Sequence, residues 1–241
     1  MNFYRIESPS ERSTLAWWAT VPALPSENFD CLLFGKEHPP KVEGYTNLFL
    51  DIRATKVPDM FFASFDELIV NSLVRRQLED SGLTGIEFRK AEVLKVKGDP
   101  ELARGRTWDL FEIRATGFAG LASPESGVHF LRSCAGCGRT WFSPVKDPAK
   151  LISEKDWDGT DCFVVWPFAH MTFVSEKFRT YCLKKLRWKN CFVPQSRMKF
   201  IEQLMTDSNP KLFESSVPPM RAIYGEVRAV ELAKRYNIPT L

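Results

Sequence analysis

The chain predicts an α+β fold, mixed sheets with a few helices, and three observations carry that prediction. Short apolar or alternating runs, such as residues 48–52, 109–114 and 161–165, are bounded by Gly, Pro and polar clusters, as strands are. Only a few stretches combine a capping residue with apolar positions at helical spacing. A strand–helix–strand order also occurs twice along the chain.

Taken in order, residues 2–7 suit a first strand, and residues 8–13 form a polar turn. Residues 14–20, with Trp17 and Trp18, read as a short strand or a buried turn. Pro22, Pro25, Pro39 and Pro40 then break the chain, leaving residues 29–34 and 48–52 as short apolar pieces. From Val57 the pattern sharpens. Phe61, Phe62 and Phe65 lead into the apolar run 67–70, and Asn71 or Ser72 caps a helix through Glu79. Leu73, Val74 and Leu78 share one face of that helix, and Gly82 stops it. Residues 85–96 are extended, and residues 99–106 form a polar hairpin connection to an alternating strand at 109–114.

Residues 144–158 are a polar connector with a short helix. Residues 161–165 and 171–174 are strands, Ser175 caps a helix over 176–186, and residues 190–193 return to a strand. The tail begins as a helix from Arg197 to Met205, breaks at residues 207–210, and ends in a helix over 220–236. The two strand–helix–strand runs align: Val70 matches Val174 and Phe88 matches Phe192 at one offset, while Asp59 and Asp161 need a two-residue gap. The repeat reads as an internal duplication of a strand–helix–strand module, the alternative being the chance recurrence of such patterns in α+β chains. It predicts an N-terminal module over 1–128, a knuckle and second module over 129–200, and a helical extension over 201–241, all within one compact unit.

The 241 residues are enough to bury a substantial core, and 19 Phe with 7 Trp supply material for it and for aromatic anchors at a partner surface. A net charge of +3 is too small to argue for nucleic acid or a membrane. No run approaches the roughly 20 apolar residues that span a bilayer. The N-terminus lacks the pattern of a secretory signal, so the six cysteines read as reduced thiols and the expected compartment is the cytoplasm.

The strongest motif is Cys134-Ala-Gly-Cys137-Gly138-Arg139. Two cysteines three apart with glycine next form the turn of a zinc knuckle, half of a four-ligand site. The best remote ligands are Cys31, in Asp30-Cys31-Leu-Leu-Phe34-Gly35, and His38; His129 and Cys162 are other options. The alternative is a relict knuckle whose thiols pack as small apolar groups. A redox CxxC needs its first cysteine at a helix start, whereas Arg139 onward reads as turn then strand. Scattered histidines at 38, 129 and 170 give no nucleophilic constellation, and phosphate-loop, HExxH and GxSxG motifs do not occur. Non-catalytic action is the expectation. Lys184, Lys185, Arg187 and Trp188, with Lys177, Arg179 and Lys189, form the first place to look for a partner.

The CxxCGR knuckle resembles that of the bacterial double-CxxCG motif proteins, as do Asp161-Cys-Phe163-Val-Val and Val174-Ser-Glu-Lys-Phe178. Residues 69–70, the helix to Leu78, Ser81-Gly82-Leu83-Thr84-Gly85-Ile86 and the following strand fit the same pattern. The resemblance covers roughly residues 28–195. It implies an immunity protein of a polymorphic, contact-delivered toxin system, which neutralises its cognate toxin by binding it. It also implies two knuckles, and Phe34 here replaces a cysteine of the first. Trp141, Trp166 and Trp188 are the expected anchors. A zinc-knuckle module that docks nucleic acid or an acidic protein through the basic helix is the alternative.

Overall fold

The structure is a computed structural model and describes residues 1–8, 16–18, 48–54, 56–63, 67–104, 106–133, 140–166, 168 and 171–198. The fold is α+β. Its strands are β1 (Phe3–Ile6), β2 (Ala16–Trp18), β3 (Leu48–Ile52), β4 (Met60–Phe62), β5 (Leu68–Asn71), β6 (Ile86–Val96), β7 (Leu110–Ala115), β8 (Gly117–Leu121), β9 (Phe130–Ser133), β10 (Thr140–Phe142), β11 (Cys162–Trp166), β12 (Phe173–Ser175) and β13 (Phe192–Pro194). Helix α1 (Ser72–Glu79) follows β5, and α2 (Glu176–Tyr181) follows β12. A six-stranded sheet has the order β2-β3-β6-β7-β5-β4, a five-stranded sheet the order β13-β1-β12-β11-β8, and β9 pairs only with β10 among the described residues. Both larger sheets are mixed: β3 runs parallel to β6, and β8 parallel to β11.

The two strand–helix–strand runs are built alike down to register. Met60 pairs with Val70 and Phe61 with Ile69; in the second run Cys162 pairs with Val174 and Phe163 with Phe173. Asn71 caps α1 by accepting the Val74 N–H at 3.0 Å, and Ser175 caps α2 by accepting the Phe178 N–H at 3.2 Å. Each cap is held by the aspartate that precedes its hairpin. Asn71 Nδ2 donates to Asp59 Oδ1 at 2.7 Å, and Ser175 Oγ donates to Asp161 Oδ1 at 2.8 Å. A helix arginine then lies over an aromatic ring of the next strand in the sheet: Arg75 over Phe111 at 4.5 Å, Arg179 over Tyr4 at 4.6 Å.

The copies differ in where that next strand comes from. Beside β5 lies β7, which follows the module, whereas beside β12 lies β1, from the N-terminus. Phe88 pairs with Ile113 on β7, and Phe192 with Ile6 on β1, so the exchanged strand keeps the register. The sheets therefore cut across a division at residue 128: β1 and β8 belong to the sheet that holds the second module. Residues 201–241 lie outside the described residues.

One core joins the copies. Val70, Val74, Leu78, Phe111 and Ile113 from the first share a buried cluster with Tyr4, Ile6, Val174, Phe178 and Cys182 from the second. Tyr181 Oη donates to the Gln77 carbonyl at 2.7 Å. These two residues stand at the same offset as Val70 and Val174, so equivalent positions meet, as they do beside a pseudo-twofold axis. Leu73 departs from expectation. It is 54% exposed, because only Val74 and Leu78, four apart, point into the core. The segment after Arg197 also departs. Residues 195–197 form a single 3-10 turn, and Met198 is already extended rather than the start of a helix.

Strand β8 carries no sequence signal. Gly117-Phe-Ala-Gly-Leu121 looks like a loop, yet small residues are what the packing requires. A Cβ on Gly117 would collide with the Thr160 hydroxyl and come within 2.6 Å of the Cys162 carbonyl and 2.7 Å of Thr160 Cβ.

Candidate functional site

Three places carry the residues singled out by the sequence: the knuckle hairpin, the Asp161 network and the basic turn after α2.

The knuckle sequence falls between β9 and β10. Ser133 and Thr140 pair across β9 and β10, with residues 134–139 between them in sequence. Strand follows the motif at Thr140–Phe142, as the sequence reading expects. Cys134, Cys137, Cys31 and His38 themselves lie outside the described residues, so the proposed ligand set is untested by the geometry. Of the other options, His129 is exposed and its Nδ1 lies 2.9 Å from Ser143 Oγ and 3.2 Å from the Gly127 carbonyl. Cys162 is fully buried in the shared core. Among the described residues no three His, Cys, Asp or Glu side chains are grouped to hold a metal ion. The hairpin docks through Phe142, which meets Trp166 edge-on at 4.6 Å.

The sequence marks Asp161 only as the start of a strand, and the structure makes it the densest polar node described. The residue is 5% exposed. Its carboxylate accepts the Thr84 N–H at 3.1 Å, the Thr84 hydroxyl at 3.3 Å, Ser175 Oγ at 2.8 Å and Lys177 Nζ at 2.9 Å. Burial by itself would lift this carboxyl. The donors from Lys177, Ser175 and Thr84 outweigh that and hold it below the usual aspartate range. Lys177 also donates to the Gly82 carbonyl at 3.2 Å. Thr84, Ser175 and Lys177 belong to the segments that carry the family resemblance, and here they converge on the carboxylate of Asp161, which lies in another of those segments. The sequence signal that points to it is the repeated aspartate ahead of each cap. Chemically this is a lock between modules. Ser175 both donates to Asp161 and caps α2, so its hydroxyl is committed.

Gly85 closes the same region. Its φ is +77°, and an added Cβ would meet the Cys162 carbonyl and lie 2.9 Å from Thr160 Cβ.

The basic turn follows α2. The helix continues as a π-helical turn over Cys182–Leu186, and Arg187 ends it in a left-handed conformation. The Trp188 N–H returns to the Cys182 carbonyl at 3.1 Å. Lys184, Lys185, Arg187 and Lys189 are all exposed. Trp188 is not. At 4% exposure it packs in the shared core, so it anchors the turn instead of presenting a contact surface. Trp166 is likewise buried at 3%, and the Trp141 side chain lies outside the described residues. Aromatic anchors for a partner are therefore not found at Trp166 or Trp188.

The remaining described thiols are structural. Cys162, Cys182 and Cys191 are free and buried in one cluster, and burial pushes all three thiols up, Cys191 to about 12. No helix among the described residues is long and apolar enough to cross a membrane.

Compared with known proteins, the chain matches no family model and no curated sequence.

Proposed function

We propose that the chain is an immunity protein, which binds a cognate bacterial toxin and neutralises it by occlusion, without catalysis of its own. The observation that carries this reading is the convergence on Asp161. The segments that resemble the double-CxxCG proteins are far apart in sequence, yet Thr84, Ser175 and Lys177 all donate to one buried carboxylate, that of Asp161, and Lys177 also reaches the Gly82 carbonyl. Residues that meet in this way act as one unit, which favours a shared fold over a chance match of short motifs. The family's mode of action then follows by resemblance. An inhibitor of this kind needs a rigid body that stays folded while it is bound, and the shared core with locked modules supplies one.

Zinc on Cys134 and Cys137, with Cys31 and His38 completing the set, belongs to the same reading as a structural element of the knuckle. It supplies no chemistry to the inhibition. Metal analysis of the purified protein tests it: about one zinc per chain, lost in Cys134→Ser, supports the site, and a metal-free protein removes it.

The function is tested by co-expression with the toxin encoded beside the gene. Growth protection together with co-purification of a stable complex is the expected result. A toxin that kills equally with and without this chain, and forms no complex with it, refutes the proposal.

A further inference from the structure

The duplication provides an internal control for what the fold itself requires of the turn between helix and strand. In the first copy the left-handed positions are Gly82 and Gly85, at φ 69° and 77°; in the second they are Arg187 and Asn190, at 56° and 63°. Each pair brackets two residues, and the first of those is an apolar side chain that packs on the shared core: Leu83 in one copy, Trp188 in the other. The π-helical turn over Cys182–Leu186 absorbs the one-residue displacement between the copies. The two turns thus share conformation, anchor and destination.

Their charges do not match. Between Asp80 and Gly85 the only ionisable side chain is the acid Asp80, whereas residues 184–190 carry Lys184, Lys185, Arg187 and Lys189. Cations at a helix C-terminus are favourable to the dipole, but α1 ends stably with only Arg76 in its last turn. The fold therefore does not call for four of them. It also does not call for arginine at a left-handed position, where glycine carries no side-chain penalty and the first copy has glycine. All four cations are exposed, whereas Arg75, Arg89, Arg179 and Lys177 each pair with a carboxylate. A backbone outlier kept at a conformational cost, on a charged and solvent-facing turn, points to use rather than architecture.

We infer that Lys184, Lys185, Arg187 and Lys189 form a docking surface for a carboxylate-rich protein face. The identity of that partner as the toxin rests on the immunity reading above. Protein is favoured over nucleic acid because the turn offers no stacking platform: its one aromatic, Trp188, is buried. Four cations on one short turn also make a compact patch, not a groove that tracks a phosphate backbone. Such a patch steers encounter and fixes register, with the rest of the interface supplying contact area.

The test uses the full chain with two fluorescent probes, a 12-residue acidic peptide of alternating Glu and Gly and a single-stranded (dT)12, by anisotropy at low salt. The expected result is binding of the peptide that weakens as salt rises and is at least about tenfold weaker for K184E/K185E/R187E/K189E. Arg187→Gly separates use from architecture. It is expected to raise the urea midpoint while weakening peptide binding about twofold, a combination that a structural role would not give. Equal binding by the fourfold variant, no binding by the wild type, or tighter binding of (dT)12 than of the peptide overturns the inference. So does a lowered midpoint for Arg187→Gly. In the toxin assay, undiminished protection by the fourfold variant also overturns it and leaves the immunity reading intact. A wild type that fails to protect sinks the immunity reading, while the peptide measurement still decides the chemistry of the patch.

Discussion

Asp161 and Asp59 hold equivalent caps in different surroundings, and replacing each with alanine measures what burial adds. Asp161→Ala removes the acceptor of four hydrogen bonds. Lys177 is 62% exposed on its side chain and rehydrates when released, so its ion pair contributes little. The loss falls mainly on Ser175, which is 4% exposed, because Thr84 is exposed and also rehydrates when released. Hydrogen bonds to a charged group contribute about 1.5–3 kcal/mol each, and the buried carboxylate's own desolvation offsets part of that. The net expectation is about 2 kcal/mol, or roughly 4–8 °C in Tm for a chain of this size. Asp59 is exposed and accepts one side-chain bond, from Asn71. Asp59→Ala should therefore cost less than about 1 kcal/mol. Urea unfolding at pH 7, with unchanged slope, gives both values. Equal losses, or a loss below about 1 kcal/mol for Asp161→Ala, would refute the assignment of Asp161 as the lock. The sign with pH follows from its depressed folded pKa. The contribution is fully present above the ordinary aspartate value near about 4 and disappears as pH falls through the lower folded value. The gap between wild type and Asp161→Ala should hold steady from pH 7 to about 5 and close below about 4.

Three further outcomes follow from packing. Trp188→Ala should destabilise the fold by about 3–5 kcal/mol, read by denaturant unfolding, because Trp188 fills the core; a fully stable variant would return it to the surface. Gly117→Ala should cost about 1–3 kcal/mol from the collision with Thr160 and Cys162, again read from the unfolding midpoint, with Ala119→Gly, at a fully buried site on the same strand, separating overpacking from a general weakness of β8. Cys162, Cys182 and Cys191 should resist iodoacetamide at pH 8 in the native protein and label on unfolding, as peptide mapping would show. Rapid native labelling would contradict their burial.

Much of the architecture was legible because it is local. Asn71 and Ser175 announce helices through short-range capping, and the offset linking Val70 to Val174 reappears as matching strand register. What the sequence did not show was long-range. No local pattern tells that β1 crosses to the far sheet, since its alternation fits any half-buried strand. The glycines of β8 give no strand signal because their reason lies across the sheet, at Thr160 and Cys162. Trp188 beside four cations looks like a surface anchor in one dimension. Only the left-handed turn at Arg187 reveals that its neighbours point out while it points in. The knuckle, the clearest motif of all, lies outside the described residues and identifies a resemblance more than an activity.

The exchanged strand also sets a timetable for synthesis. β1 leaves the ribosome well before its neighbours β12 and β13, which are encoded roughly 170 residues later. At about 5–20 residues per second, the strand waits on the order of 10–30 s before either partner exists. Phe3, Tyr4 and Ile6 stay unburied in that interval, and the five-stranded sheet closes only after β13 has been made. The six-stranded sheet, whose central strands β5, β6 and β7 lie close together in sequence, has no such delay. Nascent chains arrested near residue 150 should therefore leave β1 cleavable by protease, because neither of its partner strands has yet been made.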